Sequence, residues 1–520
     1  MMKKLFALIL VLGVNFAFGQ TKPAVSPAAG GAPAAAPAPM PEMRAGRGDN
    51  PDVVKTKGSV TINGKVINYT ATTGYLQLKT EEGKPRANIF YVSYTKDNPG
   101  DINKRPVTYA FNGGPGSATV WLHMGVIGPK RIVMSDKGGV LQPPYSYTNN
   151  EYSWLDNSDL VFIDPVGTGF SRAINGVDKS EFQGYNEDIQ SVGEFIRLWT
   201  VENKRWGSPK FLAGESYGTT RAAGLSNYLQ SAFKMYTNGV ILISAVLNFQ
   251  TILFGIGNDL PYSLYVPSYA ATAWYYKKLA PDLQAKDIKT LIAEAESFAL
   301  NEYTPALMKG DKLAPAEFNA MVTKLSRYTG LSEKFVRQAN LRIDLPYFNK
   351  ELLRSEGLTV GRLDSRFTGR DYDDTGSSTD FDPSNTGTIS GPYTAGVMSY
   401  FGKELNYNNN LVYYTLGGGV GRWNYSNVQN KYLNVAEYMR QAMAQNPYLK
   451  IWVLGGYYDF ACPYFASLYV LRHMGLRPEQ QANIKFTYYE SGHMIYINMP
   501  SLMQMKKDAD EFYPSALPNN

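Results

Sequence analysis

The sequence predicts an α/β fold: a mostly parallel central sheet flanked by helices, with a largely helical insertion set into it. Three observations predict it. Short apolar runs with strand character alternate with helical periodicity between Leu160 and Ser244, the rhythm of parallel strands joined by crossovers. One of those runs, Lys210-Phe211-Leu212-Ala213, leads directly into Gly214-Glu215-Ser216-Tyr217-Gly218, a G-x-S-x-G pattern at a strand-to-helix junction. The alternation then breaks between about Phe249 and Tyr400, where the periodic segments are helical only.

Taken in order, Met1 to Gly19 has a basic start (Lys3, Lys4), an apolar core from Leu5 to Val14 and the small-residue ending Ala17-Phe18-Gly19. It reads as a signal peptide removed after Gly19, with a core too short to span a bilayer and no cysteine after it to carry a lipid. The expectation is therefore export, to a periplasm or beyond the cell, without stable membrane insertion. Residues 20–55 form an Ala/Pro-rich tether, interrupted by Gly30-Gly31, that cannot build a core. Residues 56–248 form the first half of the core. Ser59 to Tyr94 alternates apolar and polar residues around Asn63-Gly64 and Glu82-Gly83, which predicts antiparallel hairpins. Val107–Phe111, Leu160–Ile163 and Gly239–Ser244 are apolar strands, with helices over Asp188–Val201 and from Tyr217 toward Leu229. Residues 249–400 form the insertion, helical over Asp287–Ala299, Pro315–Tyr328 and Ser332–Asn340, and placed as a cap over the site. Residues 401–520 complete the core with strands Leu449–Leu454 and Ile484–Tyr489.

The chemistry centres on Ser216. A serine on a sharp strand-to-helix turn projects its hydroxyl above the sheet edge, and the helix start behind it offers amides to a developing negative charge. A nucleophile of this kind is followed along the chain by an acid and then a histidine. The chain has three histidines. His123 precedes the serine and His473 ends an amphipathic helix, whereas His493 follows the strand ending at Tyr489, where open sheets place their chemistry. His493 is thus the predicted base. Asp459, in Gly455-Gly456-Tyr457-Tyr458-Asp459-Phe460 after another strand, is the predicted acid, with a helix-capping role as the competing reading. Upstream, Asn112-Gly113-Gly114-Pro115-Gly116-Ser117 follows the strand Val107–Phe111 and can supply a second oxyanion amide, so Gly114 and Tyr217 are the predicted donors.

These segments together resemble the serine carboxypeptidases of the α/β-hydrolase fold. The stretch at 112–117, Pro165-Val166-Gly167-Thr168-Gly169-Phe170-Ser171, Gly214–Gly218, Gly455–Cys462 and Ser491-Gly492-His493-Met494 are similar to that family's motifs, in its order, over roughly residues 105–250 and 405–505. The resemblance implies release of C-terminal amino acids from peptides that carry a free α-carboxylate. It also implies that Asn112 and Glu215 bind that carboxylate, with Glu215 protonated. Such a proton requires burial or a neighbouring anion, and it favours peptidase activity in mild acid. Without the resemblance, Glu215 reads as a charge favourable near a helix start. Three departures stand out. Val126-Ile127 precedes Gly128-Pro129 where the family often has a second glutamate. Asp164-Pro165 is shorter than the family's Asp-x-Pro. The family's disulfides cannot form, because Cys462 is the only cysteine. It matches a position where some members keep a thiol near the substrate, although a buried, inert thiol is the preferred reading.

Composition narrows the alternatives. A net charge of +6 over 520 residues, without a clustered Lys/Arg run, gives no indication of nucleic-acid binding. No metal or organic cofactor is expected. The carboxylates Asp364, Asp371, Asp373, Asp374, Asp380 and Asp382 invite a calcium reading, but their spacing departs from an EF-hand, and a solvated surface loop is preferred. Two rival functions stand beside the peptidase: an esterase or acyltransferase with the same machinery, and a non-catalytic cell-envelope binding protein.

Overall fold

The computed structural model describes residues 53–135 and 139–518. The predicted signal peptide and nearly all of the tether lie outside these residues. Nine strands lie along one continuous sheet: β1 (Val54–Ile62), β2 (Lys65–Lys79), β3 (Pro85–Lys96), β4 (Val107–Phe111), β5 (Asp159–Ile163), β6 (Lys210–Ser216), β7 (Gly239–Ala245), β8 (Lys450–Gly456) and β9 (Ile484–Tyr489). Their order is β1-β2-β3-β5-β4-β6-β7-β8-β9, with the two-residue strand Arg172–Ala173 also pairing with β3. The first three strands and the β3–β5 pair are antiparallel, and every pair from β5 to β9 is parallel. Asn63 and Gly64 both take positive φ in the first hairpin, which their residue types permit.

Alternate residues of the central strands point to opposite faces. Phe211, Ala213, Ile241 and Ile243 join one apolar layer, and Leu212, Val240 and Leu242 join the other. Burial on both faces explains why these strands read as unbroken apolar runs. Helices α1 (Tyr185–Glu202) and α2 (Tyr217–Phe233) cover the second layer through Ile189, Val192, Leu225 and Leu229. The first layer is covered partly by the final long helix, Met499–Ser515, through Leu502, Met505 and Phe512.

A third apolar cluster belongs largely to the insertion. Its centre is α3 (Leu260–Tyr275), whose buried residues lie all round it and which carries Pro267 internally. The sequence shows this segment as a cluster of tyrosines, and the absence of a one-sided apolar stripe hides its helical character. Tyr269 of α3 stacks on Phe348 at 3.9 Å and meets Phe460 edge-on at 5.3 Å, so the insertion is bonded into the loop that carries Asp459. Near the insertion's end, two short strands, Thr359–Val360 and Thr368–Gly369, pair as a hairpin. Among the described residues no helix is long and apolar enough to cross a membrane.

Candidate active site

Asn112, Asp459 and His493 follow the C-terminal ends of the parallel strands β4, β8 and β9, and Ser216 is the last residue of β6. An open parallel sheet gathers its loops at that edge. Ser216 sits at φ +60°, ψ −131° between β6 and α2, a conformation that costs a non-glycine residue of order 1–3 kcal/mol. The turn is possible because its flanks are glycine: a Cβ on Gly214 would lie 2.1 Å from the Gly218 carbonyl oxygen.

The predicted base and the predicted acid are in contact. His493 Nδ1 lies 2.8 Å from Asp459 Oδ2, and both side chains are buried. The other carboxylate oxygen, Oδ1, accepts from the amides of Ala461 (2.7 Å) and Cys462 (2.9 Å). The competing capping reading is thus met within the turn, not on the helix that begins at Tyr464, and the same carboxylate also engages the imidazole. Burial disfavours the His493 imidazolium, but the Asp459 charge and hydrogen bond outweigh it and raise the histidine above its ordinary value. Among the described residues Ser216 makes no hydrogen bond to His493, and its hydroxyl lies against the Cys462 thiol. That thiol is buried, and burial pushes its ionisation well above the ordinary range, which makes it a poor nucleophile at neutral pH.

The other two histidines are committed elsewhere. His123 is buried 2.6 Å from the Tyr94 hydroxyl and stacked on Phe162, and burial lowers it to about 3. His473 caps its helix at the surface, with Nδ1 2.7 Å from the Tyr469 carbonyl.

The glycine loop after β4 closes against the start of α2. A Cβ on Gly113 would lie 2.3 Å from the Tyr217 nitrogen, so this loop packs directly on the first helical amide. The Tyr217 amide heads a helix and has no intrahelical acceptor, and the neighbouring Gly114 amide makes no backbone bond among the described residues. Asn112 Nδ2 donates to Glu215 Oε1 at 3.0 Å, while its Oδ1 accepts from the Leu122 amide at 3.0 Å. The Asn112 carbonyl accepts from Arg221 of α2 at 2.5 Å, and Arg221 is paired with Asp188 in full burial.

Glu215 is 2% exposed, and burial is the main reason its carboxyl rises to about 7. Among the described residues its Oε2 has no partner in hydrogen-bond geometry. The Tyr496 hydroxyl, also unpaired, lies close enough to act on it. Val126 and Ile127 are fully buried apolar residues.

A further group was not visible in the sequence. The loop of the Thr359–Gly369 hairpin binds both the acid and the histidine segments. His493 donates its amide to the Leu363 carbonyl (2.6 Å), and Phe460 donates to that of Arg362 (3.1 Å). Asp364 accepts from the Gly492 amide (3.1 Å) and forms a two-pronged pair with Arg366, whose guanidinium also donates to the Glu490 carbonyl (2.7 Å). Asp364 is therefore a buried strut, and the Asp371 side chain is buried against Lys350 at 2.5 Å, whereas Asp373, Asp374 and Asp380 are exposed as a solvated loop would have them. The one signal for Asp364 is its place before Phe367, apart from the Asp371–Asp382 run; grouping it with that run conceals its role. Among the described residues no set of His, Cys, Asp and Glu is grouped to hold a metal.

A family profile described as serine carboxypeptidase matches residues 62–499. Carboxypeptidase Y of Schizosaccharomyces pombe is 26% identical over 214 residues, 40% of this chain and 19% of that protein. Carboxypeptidase Y of Saccharomyces cerevisiae is 32% identical over 152 residues, 29% of this chain and 25% of that protein. The aligned stretches thus span about a fifth to a quarter of the length of these relatives. The crystal structure of Kex1Δp, a prohormone-processing carboxypeptidase from Saccharomyces cerevisiae, is similar with a TM-score of 0.51 at 14% identity, covering 85% of this chain and 91% of that one. At that identity the likeness speaks for the α/β-hydrolase fold.

Proposed function

The chain belongs to the serine carboxypeptidase family, and from that premise we propose that it is an exported serine carboxypeptidase that releases C-terminal amino acids from peptides. Ser216 Oγ attacks the last peptide carbonyl while His493 takes its proton, and Asp459 orients the imidazole and stabilises its charged form. The Gly114 and Tyr217 amides hold the oxyanion. The terminal residue leaves with a proton from His493, and a water deprotonated by His493 then cleaves the acyl-enzyme. The reaction written this way uses no metal and no organic cofactor. Asn112 and Glu215 hold the substrate's free carboxylate, which requires the neutral, hydrogen-bond-donating form of Glu215.

The observation that carries this reading is the buried Asn112–Glu215 pair, its carboxyl raised to about 7, beside the Asp459–His493 hydrogen bond. A buried acid that is largely neutral below pH 7, close to His493, is suited to receive an anion. A second reading, an esterase or acyltransferase, draws on Val126 and Ile127, which leave Glu215 without a companion acid at the position the family often fills. Export rests on Lys3, Lys4 and the apolar core Leu5–Val14.

Amino-acid release from a blocked dipeptide acid, beside its C-terminal amide and a Ser216→Ala control, tests the reading. Release from the acid alone, lost in the variant, is the expected result. Ester hydrolysis without release from either peptide would transfer the assignment to the esterase.

A further inference from the structure

Arg221 follows Tyr217 by one helical turn, so α2 carries the two on one face. Asp188 lies in the first turn of α1, where a carboxylate is favourable. The Arg221 Nε donates to Asp188 Oδ2 at 2.8 Å, and its Nη1 donates to the Asn112 carbonyl at 2.5 Å. Its Cζ lies 5.4 Å from the centroid of the Phe111 ring and 5.6 Å from that of Tyr217. One planar group therefore meets the end of β4, the peptide that opens the glycine loop and the residue that heads α2. Both charged residues are 1% exposed.

Two backbone segments meet at this point. A Cβ on Gly218 would lie 2.6 Å from the Phe111 carbonyl oxygen, and one on Gly113 would lie 2.3 Å from the Tyr217 nitrogen. Glycine at both positions lets the segments touch, but it is the residue least able to hold a backbone in one conformation. The Asn112 carbonyl belongs to the same peptide unit as the Gly113 amide, and Gly114 follows it. Holding that oxygen therefore sets the direction of the peptide that leads into Gly114. A buried ion pair contributes little net stability, since desolvation of the two charges offsets their attraction. Its geometry is the more informative property. A planar, forked donor fixes one acceptor on each arm, which the single ammonium of a lysine does not.

We propose that the Asp188–Arg221 pair is a positioning device that sets the Gly114 amide against the Tyr217 amide, so that both meet one oxyanion. Asp188 orients the guanidinium, and the guanidinium holds the Asn112–Gly113 peptide. This rests on Gly114 and Tyr217 being the oxyanion donors. It does not rest on the substrate being a peptide, because an ester passes through the same tetrahedral oxyanion.

The test compares kcat and KM for blocked amino-acid esters and blocked dipeptide acids in the native protein, in Arg221→Lys, and in a double variant combining Asp188→Leu with Arg221→Met. The double variant removes both charges at similar volume and should melt near the native temperature. It should nevertheless lower kcat by about 10- to 100-fold on esters, and on any peptide acid the native protein cleaves, with ester KM within about threefold of native. Binding of a blocked amino-acid trifluoromethyl ketone, whose hemiketal oxygen takes the oxyanion position, should weaken by the same factor as kcat/KM. Arg221→Lys keeps a cation opposite Asp188 and should lower kcat in the same way, so it decides the matter if the double variant does not fold. Native ester kcat in either folded variant would overturn the proposal. So would a rise in KM on peptide acids with ester kcat unchanged, which would assign the pair to Asn112 alone. Loss of ester turnover in the variants of a protein that cleaves no peptide would uphold the pair and refute the carboxypeptidase instead.

Discussion

The two halves of the site are held in different ways. Around Ser216 the scaffold is local to the sheet: β6, the turn through Gly214 and Gly218, and the start of α2, with Arg221 tying the Asn112 loop to the same helix. Around Asp459 and His493 the strands deliver the loops, but a distant hairpin loop sets them, through Leu363, Asp364 and Arg366. The difference teaches that the geometry of Ser216, the proposed nucleophile, is a property of the core, whereas the alignment of Asp459 and His493, the proposed acid and base, depends on the insertion. Changes to the insertion can then alter turnover without touching substrate.

This contrast can be broken or sharpened by substitution, the largest effects coming first. Ser216→Ala and Asp459→Asn should each lower turnover by about 10⁴-fold or more with the melting temperature little changed for Ser216→Ala, read by steady-state kinetics and calorimetry. Next, Asp364→Asn and Arg366→Ala should lower kcat by about 10- to 100-fold with KM nearly constant, because they misplace His493 without touching substrate. Breaking this largely buried pair should also cost about 3 kcal/mol of stability, seen in chemical denaturation. A fall in KM-dependent binding alone would instead place the hairpin in the substrate pocket.

A smaller effect concerns pH. Glu215 is raised to about 7, so its neutral donor form dominates below that pH and is lost above it. Release from free-acid peptides should therefore decline as pH rises through 7, while protonation of His493 limits the acid side. Glu215→Gln keeps a donor at every pH and should flatten the alkaline decline, as a pH profile of kcat/KM will show. Smallest of all, Cys462→Ala should change turnover by less than about threefold, since the buried thiol supplies no thiolate.

The same contrast governs what was legible in the sequence. Ser216, Glu215, Gly114 and Asn112 lie in short motifs whose spacing encodes one turn each, so their neighbourhood could be read along the chain. The apolar runs of β4 to β9 were equally readable, because burial on both faces leaves an unbroken pattern. The helix α3 was not, since burial on all sides erases its periodicity. Nor were Asp364 and Arg366: their partners Gly492 and Glu490 are more than 120 residues away, and nothing in a one-dimensional pattern links them. Asp364 reads as one more acid in a polar loop until its neighbours across space are known.

Labelling of the serine by a fluorophosphonate, mapped by peptide mass spectrometry, tests most directly whether the two halves form one catalytic unit. The account predicts a single adduct on Ser216, formed rapidly in the native protein and about 10- to 100-fold more slowly in Asp364→Asn, which leaves the serine and its turn intact. No adduct on Ser216, or labelling at the native rate in Asp364→Asn, would contradict it.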